Sequence, residues 1–589
     1  MRIWWVAVLV AAAWAPSAVA QSPAGYDWSL WRRVPVQDGG RYKPLDSLAW
    51  ESLRLLCNRG AIPDPDTGRR LEPTAWYVTM VLESPELGRS PHGQLTGASA
   101  SPQQEPDKWD RSPLLRVDDL RLREALGMAA DQKYISPAEL ADAKITDPKT
   151  GRNVRFLEWA RPFQGAKRRA LPPLERKAAE LADAFEFYRQ HRRGLRMGLV
   201  PSANAEDDRW ISMGELISVK FTDQSDPTGA LRRVQSQLME VREAFRGGSA
   251  ERFNEASAAL VAMLAEVGPQ QGTYPAAWVI DLEVAYNHWV PFRFAWVLTT
   301  LAFVASLLGM GTGRRGLYRL AVLAFVGGLV AMLAGFGMRI AISGRAPVTN
   351  MYESVVYFAL GTAVFGLAFE WFYRSQYVLA AAAAVSTVAL ILADNCPAVL
   401  DPSLQPLTPV LRSNFWLVTH VMSITLSYAA FALALGIGNI TLGYYLVGSR
   451  REDTIGELTR FTYRALQVGV LLLAAGTILG GVWADYAWGR FWGWDPKEVW
   501  ALIALLGYLA VLHARYIGWV GNLGLAALSV LCFSLVVMAW YGVNFVLGAG
   551  LHSYGFGGGG QSLVFSAIGV QCLYVGVAVL AARARSGRP

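Results

Sequence analysis

WGRFWGWDPKE, residues Trp488 to Glu498, sets four aromatics, two glycines and four charged side chains between two long apolar runs. Each run is long enough to cross a bilayer, which takes about 20 residues. The stretch therefore reads as a short loop joining two membrane helices, and the rest of the chain can be laid out from it. Working outward, nine spans are expected, at about residues 292–311, 318–341, 353–372, 377–394, 416–446, 466–486, 499–517, 523–546 and 562–582. The expected fold class is an all-α membrane protein: a polytopic helical bundle of about nine spans, preceded by a mainly helical exported domain.

The chain has 589 residues, of which 53% are hydrophobic and 17% charged, but the apolar residues gather after about residue 290. Three parts follow: residues 1–20, 21–286 and 287–589. The first, MRIWWVAVLVAAAWAPSAVA, has a basic start, an apolar stretch and a small-x-small ending at Ala18, Val19 and Ala20, so it reads as a secretory signal or an uncleaved anchor. The second is then extracytoplasmic, and the last segment ends in the cytoplasm. Twelve arginines from Arg314 to Arg588 agree with this orientation, falling on the inner side. Only Arg339, Arg345, Arg412, Arg490 and Lys497 lie between spans on the outer side. A charge of +8 distributed in this way needs no nucleic-acid partner, and membrane lipid is the expected surroundings.

In the exported segment, Ser136-Pro137-Ala138-Glu139 fits a capping box with proline at the first helical position. Helices are expected near 172–197, 230–246 and 250–267, with a loop between 84 and 113. The stretch Gly39 to Leu53, GGRYKPLDSLAWESL, combines a glycine turn with a helix start near Asp46. His92 and His191 sit among polar and basic neighbours and read as solvated. Cys57 and Cys396 fall in exported segments and could pair in an oxidising compartment. No Cys-x-x-Cys occurs in the sequence, so the chain carries no thioredoxin-type pair and no c-type haem attachment motif.

Tryptophans collect at membrane interfaces in general, but an aromatic belt explains neither the two glycines nor the Asp-Pro-Lys-Glu helix start. Trp483, Tyr486, Trp488, Phe491, Trp492, Trp494 and Trp500 suggest a planar apolar shelf at the outer surface, suited to a large flat ligand. Membrane-embedded histidines are costly and usually functional. His420 and His552 are expected at the depth of the loop, one on each side of it in sequence, and could supply both axial ligands of a haem iron. His513 lies about 21 Å down the helix that follows the loop, toward the cytoplasm. His288, with Tyr286 and Trp289, reads as an interfacial anchor.

These residues carry a resemblance. The loop is similar to the tryptophan-rich signature of haem-handling proteins of cytochrome c biogenesis. The membrane half resembles the CcsA (ResC) component of the system II synthase, with GRAPVTNMYES (344–354), His420 in WLVTHVMS, the loop, His513 in VLHARY and His552 in GLHSYGFG in the family's order. The resemblance implies an external haem site with His420 and His552 on the iron and Trp488, Trp492, Trp494 and Asp495 in the signature. It also implies a transmembrane waypoint at His513. Arg490 and Lys497, with Arg345 and Arg412, are candidates to pair with propionates. The implied cofactor is haem b, bound without covalent linkage, and the implied activity is that of a cytochrome c haem lyase component in the cell inner membrane. Apocytochrome c is the expected polypeptide partner. Fused synthases of this family carry a further transmembrane histidine in a CcsB (ResB) part. The N-terminal half here has no spans to house one, so a separate ResB/CcsB-like membrane protein is expected unless the exported domain does its work. The alternative is a haem chaperone or exporter that passes haem on without forming thioethers, and a third reading is a structural scaffold.

Overall fold

The structure is a computed structural model describing residues 25–88, 105–166, 171–202, 208–397, 399–406, 415–448, 451–552 and 559–586. The expected leader, His92 and Arg412 lie outside the described residues. Those up to His288 form one compact unit, and those from Trp289 another.

In the first unit, Gly39 and Gly40 both take positive φ, 60° and 75°. This is the conformation a two-residue hairpin turn requires, and glycine adopts it without a Cβ clash. The turn pairs Pro35–Asp38 with Arg41–Pro44, Asp38 opposite Arg41. The two strands form half of an antiparallel sheet completed by Gly198–Pro201 and Trp210–Ser212. Among the described residues three further two-stranded sheets lie outside it, so the unit is less uniformly helical than its sequence suggests. Helices Leu45–Cys57, Pro173–Arg192, Ala230–Arg246 and Ala250–Gln271 surround a core centred on Trp31, Trp76, Leu53, Leu238 and Leu260. The expected helix over 172–197 stops at Arg192, because Gly194 turns left-handed (φ 71°) and the chain enters the sheet at Gly198. The Ser136 capping box is present, with Glu139 reaching back to the Ser136 N–H at 2.9 Å.

One expectation for this unit is corrected. His191 is not solvated: it is fully buried, its Nδ1 2.6 Å from the Tyr77 hydroxyl and its ring 4.2 Å from Phe187. It is read as polar because its sequence neighbours are basic, yet it lies on the inward face of its helix. Cys57 and Cys396 are both free thiols, and Cys57 is buried with its Sγ donating to the Leu53 carbonyl at 3.1 Å. The glycine-turn segment also has a role its sequence hid. Asp46 and Ser47 open the Leu45–Cys57 helix and grip the helix Ala277–Trp289: Asp46 accepts from Asn287 at 2.9 Å and lies 3.4 Å from His288 Nε2, and Ser47 donates to Glu283 at 2.5 Å.

Among the described residues, nine helices are long and apolar enough to cross a membrane: Ala277–Thr312, Arg315–Ser343, Met351–Tyr373, Gln376–Asn395, Phe415–Val447, Glu452–Trp488, Pro496–Tyr516, Asn522–Leu547 and Gln561–Arg585. All nine expected spans are found, and the protein is a multi-pass membrane protein. The first is interrupted at Val290, whose φ of 39° breaks the helix just before Pro291. Spans five and six pack along their length through small residues. A Cβ at Gly469 would strike Phe431, and one at Gly476 would come within 2.9 Å of Ile424, the close approach that small residues permit between membrane helices. Arg339 is corrected from the loops to the interior. It lies within span two, 1% exposed, and donates to Glu353 at 2.7 Å and to the Pro402 carbonyl at 2.9 Å. Glu353 also accepts from Thr349 N–H and Oγ1, both at 2.9 Å. The motif around residues 344–354 is thus a buried ion-pair knot at a helix start.

Candidate functional site

The loop is built from the start of span seven. Asp495 is the N-cap of Pro496–Tyr516 and forms a capping box with Glu498, and proline occupies the first turn, where its missing N–H is not needed. Glu498 Oε2 then reaches past the cap, accepting from Gly493 N–H at 2.8 Å and Asp495 N–H at 3.0 Å. Its other oxygen stands 3.6 Å from Arg490 Nη1. Each glycine has its reason. Gly489, at φ 69°, ends span six, and a Cβ on Gly493 would overlap the Arg490 guanidinium. Trp494 is held at φ 58°, a left-handed conformation costing a non-glycine residue roughly 1–2 kcal/mol. Such strain is concentrated at functional sites.

Asp495 does more than cap. Its Oδ1 accepts from Leu551 N–H at 2.5 Å and its Oδ2 from His552 Nδ1 at 2.9 Å. A Cβ at Gly550, whose φ is 95°, would collide with Oδ1. Span seven is thereby tied to the segment that follows span eight. Burial alone would raise the Asp495 carboxyl, but bonds from His552, Lys497 N–H and Leu551 N–H outweigh it and hold the group at about 2. It is a permanent acceptor for the imidazole.

His420 comes from span five and lies on the small-residue face of span six. A Cβ on Gly480 would sit 2.5 Å from its Cε1, so only glycine leaves room for the ring. Its Nδ1 is 2.6 Å from the Gly476 carbonyl. With Nδ1–H donated to an oxygen in each case, the Nε2 atoms of His420 and His552 carry the free lone pairs, the arrangement seen when a histidine binds a metal and its second nitrogen is fixed by an oxygen acceptor.

One indole connects the two. Trp483 lies 6.5 Å from the His420 ring, nearly parallel at 6°, and 5.9 Å from the His552 ring. Trp488 packs edge-on against both Trp483, at 4.7 Å, and His552, at 4.9 Å. The folded chain therefore gathers His420, His552, Trp488 and Asp495, and adds Trp483. This tryptophan stands in the expected shelf, yet its position was not legible because it depends on how spans five and six cross. Arg490 lies over the Trp488 ring at 5.6 Å. Lys497 Nζ donates to Asn544 Oδ1 at 3.3 Å. Asn544 lies in a ten-residue π-helical stretch, Met538–Leu547, a form frequent near functional sites.

Other expected residues stand apart. Trp492 and Trp494 pair with each other, T-shaped at 5.9 Å, and Trp494 is 70% exposed. His513 lies in the last turn of span seven, at the end away from the loop, its Nδ1 2.7 Å from the Leu509 carbonyl. Arg345 is drawn into the ion-pair knot, bonding Thr349 and, at 2.8 Å, the Gln405 carbonyl. Among the described residues no group of three or more His, Cys, Asp or Glu could hold a metal ion.

Residues 348–552, from the ion-pair knot to the second histidine of the site, match the family described as Cytochrome C assembly protein. Protein NrfI of Wolinella succinogenes is 35% identical over 232 residues, covering 38% of this chain and only 25% of that protein. The cytochrome c biogenesis protein CcsA of Prochlorococcus marinus (strain NATL2A) is 37% identical over 255 residues, 36% of this chain and 78% of that protein. CcsA of Pyropia yezoensis is 33% identical over 322 residues, 47% of this chain and 99% of that protein. With nearly the whole length of such a relative matched, the chain belongs to the CcsA-type cytochrome c biogenesis family.

Proposed function

We propose that the membrane unit binds haem b non-covalently, as substrate, at the corner made by His420, His552 and the tryptophan loop, and presents it to apocytochrome c as a haem lyase component. The observation that carries this reading is the pair of imidazoles against Trp483, each with Nδ1 engaged by an oxygen and Nε2 free. Each residue then has a task. His420 and His552 ligate the iron through Nε2, and Asp495 and the Gly476 carbonyl keep the rings oriented. Trp488 walls the ring edge, and Trp492 and Trp494 extend an apolar surface toward the incoming polypeptide. Arg490 and Lys497 stand where propionates can be met. His513, at the other end of span seven, serves as an inner waypoint.

In the reaction each thiol of the apocytochrome's Cys-x-x-Cys-His adds across a haem vinyl group. A carbon–sulfur bond forms, the thiol hydrogen goes to the neighbouring vinyl carbon, and nothing is oxidised or reduced. The thiols must therefore arrive reduced, and the chain contributes chiefly placement. The proposed site faces the extracytoplasmic side of the cell inner membrane, and a ResB/CcsB-like membrane protein is the proposed partner.

The test is co-expression with an apocytochrome c, with and without such a partner. A lyase component yields haem that resists acid-acetone extraction, and His420→Ala or His552→Ala abolishes it. A haem chaperone yields a haem-bound membrane protein and no covalent product. A scaffold shows no Soret band at all.

A further inference from the structure

Trp483 was not among the residues the signature assigns, and its surroundings are unusual. The side chain is 1% exposed, and its Nε1–H has no hydrogen-bond acceptor among the described residues. A buried donor left unmet is destabilising, and phenylalanine would fill much of the same space without that penalty. The indole stands against both candidate iron ligands and against Trp488. Nor is it the only unmet donor in this corner. Arg490 Nη1 is buried without a hydrogen-bond acceptor among the described residues, although its guanidinium lies over the Trp488 ring. Lys497 Nζ has as its hydrogen-bond acceptor the neutral amide oxygen of Asn544. Glu498 Oε1, also buried without a hydrogen bond among the described residues, faces Arg490 Nη1 at 3.6 Å, an ion pair longer than a hydrogen bond, while two backbone N–H groups of the loop hold Oε2. The corner thus holds a buried indole N–H with no acceptor among the described residues, beside a guanidinium whose carboxylate neighbour Glu498 stands 3.6 Å away, beyond hydrogen-bond length.

Resting on the haem reading above, we propose that Trp483 is a haem-contact residue whose indole N–H, together with Arg490, receives a propionate carboxylate of the bound porphyrin. The indole face fixes the spread of the two imidazoles, and its edge reads the acid group. Recognition in this corner is then selective for porphyrins with free carboxylates, beyond iron ligation and ring packing.

The experiment titrates purified full-length protein with ferric haem and with haem dimethyl ester, which keeps the ring and iron but blocks both carboxylates. Wild type should bind the ester more weakly than haem. Trp483→Phe should weaken haem binding about tenfold or more, the worth of a hydrogen bond to a charged group, and leave the ester unaffected while keeping the low-spin spectrum of two imidazole ligands. Equal weakening of both ligands, or of neither, overturns the proposal, as does a wild type that prefers the ester or binds both alike. Because this last comparison needs no variant, poor folding of Trp483→Phe does not leave the question open. Failure of the haem reading itself looks different: wild type then binds neither ligand with a Soret shift, and His420→Ala changes nothing.

Discussion

Replacing Asp495 with asparagine separates two jobs that one carboxylate performs. As N-cap of span seven, asparagine serves nearly as well as aspartate, and its carbonyl can still accept from Leu551 N–H. What it loses is the charged acceptor for His552 Nδ1, now 2.9 Å away, and with it the orientation and basicity of the ring. Loss of such a partner behind a ligating histidine weakens metal binding about 10- to 100-fold, or about 1.4–2.8 kcal/mol. Asp495→Ala should be worse, because it adds about 1 kcal/mol for the lost cap and about 1–3 kcal/mol for an orphaned Leu551 N–H. The assay is haem titration of detergent-purified protein read at the Soret band, with thermal unfolding followed in parallel. The expected order is wild type, then Asp495→Asn, then Asp495→Ala in affinity, with only the alanine variant clearly less stable. If Asp495→Asn binds haem indistinguishably from wild type, the argument that the carboxylate holds His552 as a ligand is refuted.

Because the Asp495 carboxyl is held at about 2, below its ordinary value of 3.8, its contribution to stability is complete above about pH 4 and is lost as pH falls toward 2; the stability gap between wild type and Asp495→Ala should narrow across that window. Gly480→Ala should displace the His420 ring, as overpacking costing about 1–3 kcal/mol, and convert a low-spin haem spectrum to a high-spin one without loss of the membrane fold. In the first unit, burial holds His191 well below its ordinary 6.5, so only the unfolded chain takes a proton as pH falls through 6.5. Amide protection in the Tyr77 and His191 helices, corrected for the intrinsic slowing of exchange as pH falls, should therefore drop from pH 7.5 to 5.5, and a flat profile counts against the buried neutral ring. His513→Ala should leave the spectrum of reconstituted protein unchanged while lowering the haem it carries when isolated from cells.

Much of this was readable before any coordinates. All nine spans are found because a bilayer forces long apolar runs, whatever their neighbours. The Asp-Pro-Lys-Glu helix start is local chemistry, settled within four residues. The same holds for the Ser136 capping box and the glycine turn at 39–40. His420 and His552 stood out as polar residues at membrane depth, a pattern that needs no partner to be seen.

Spans, caps, turns and the unusual side chains depend on near neighbours or on the bilayer, and so can be read along the chain. Which of them meet is set by the packing of distant segments. It buried His191, left Cys57 unpaired and moved Arg339 into a knot with Glu353. It also joined Asp495 to His552 across 57 positions and set Trp483 against both imidazoles. Those contacts arise from how packed helices cross, where one glycine, such as Gly480, decides whether a ring can lie in the gap. Helix crossing is fixed by close packing among residues far apart in the chain.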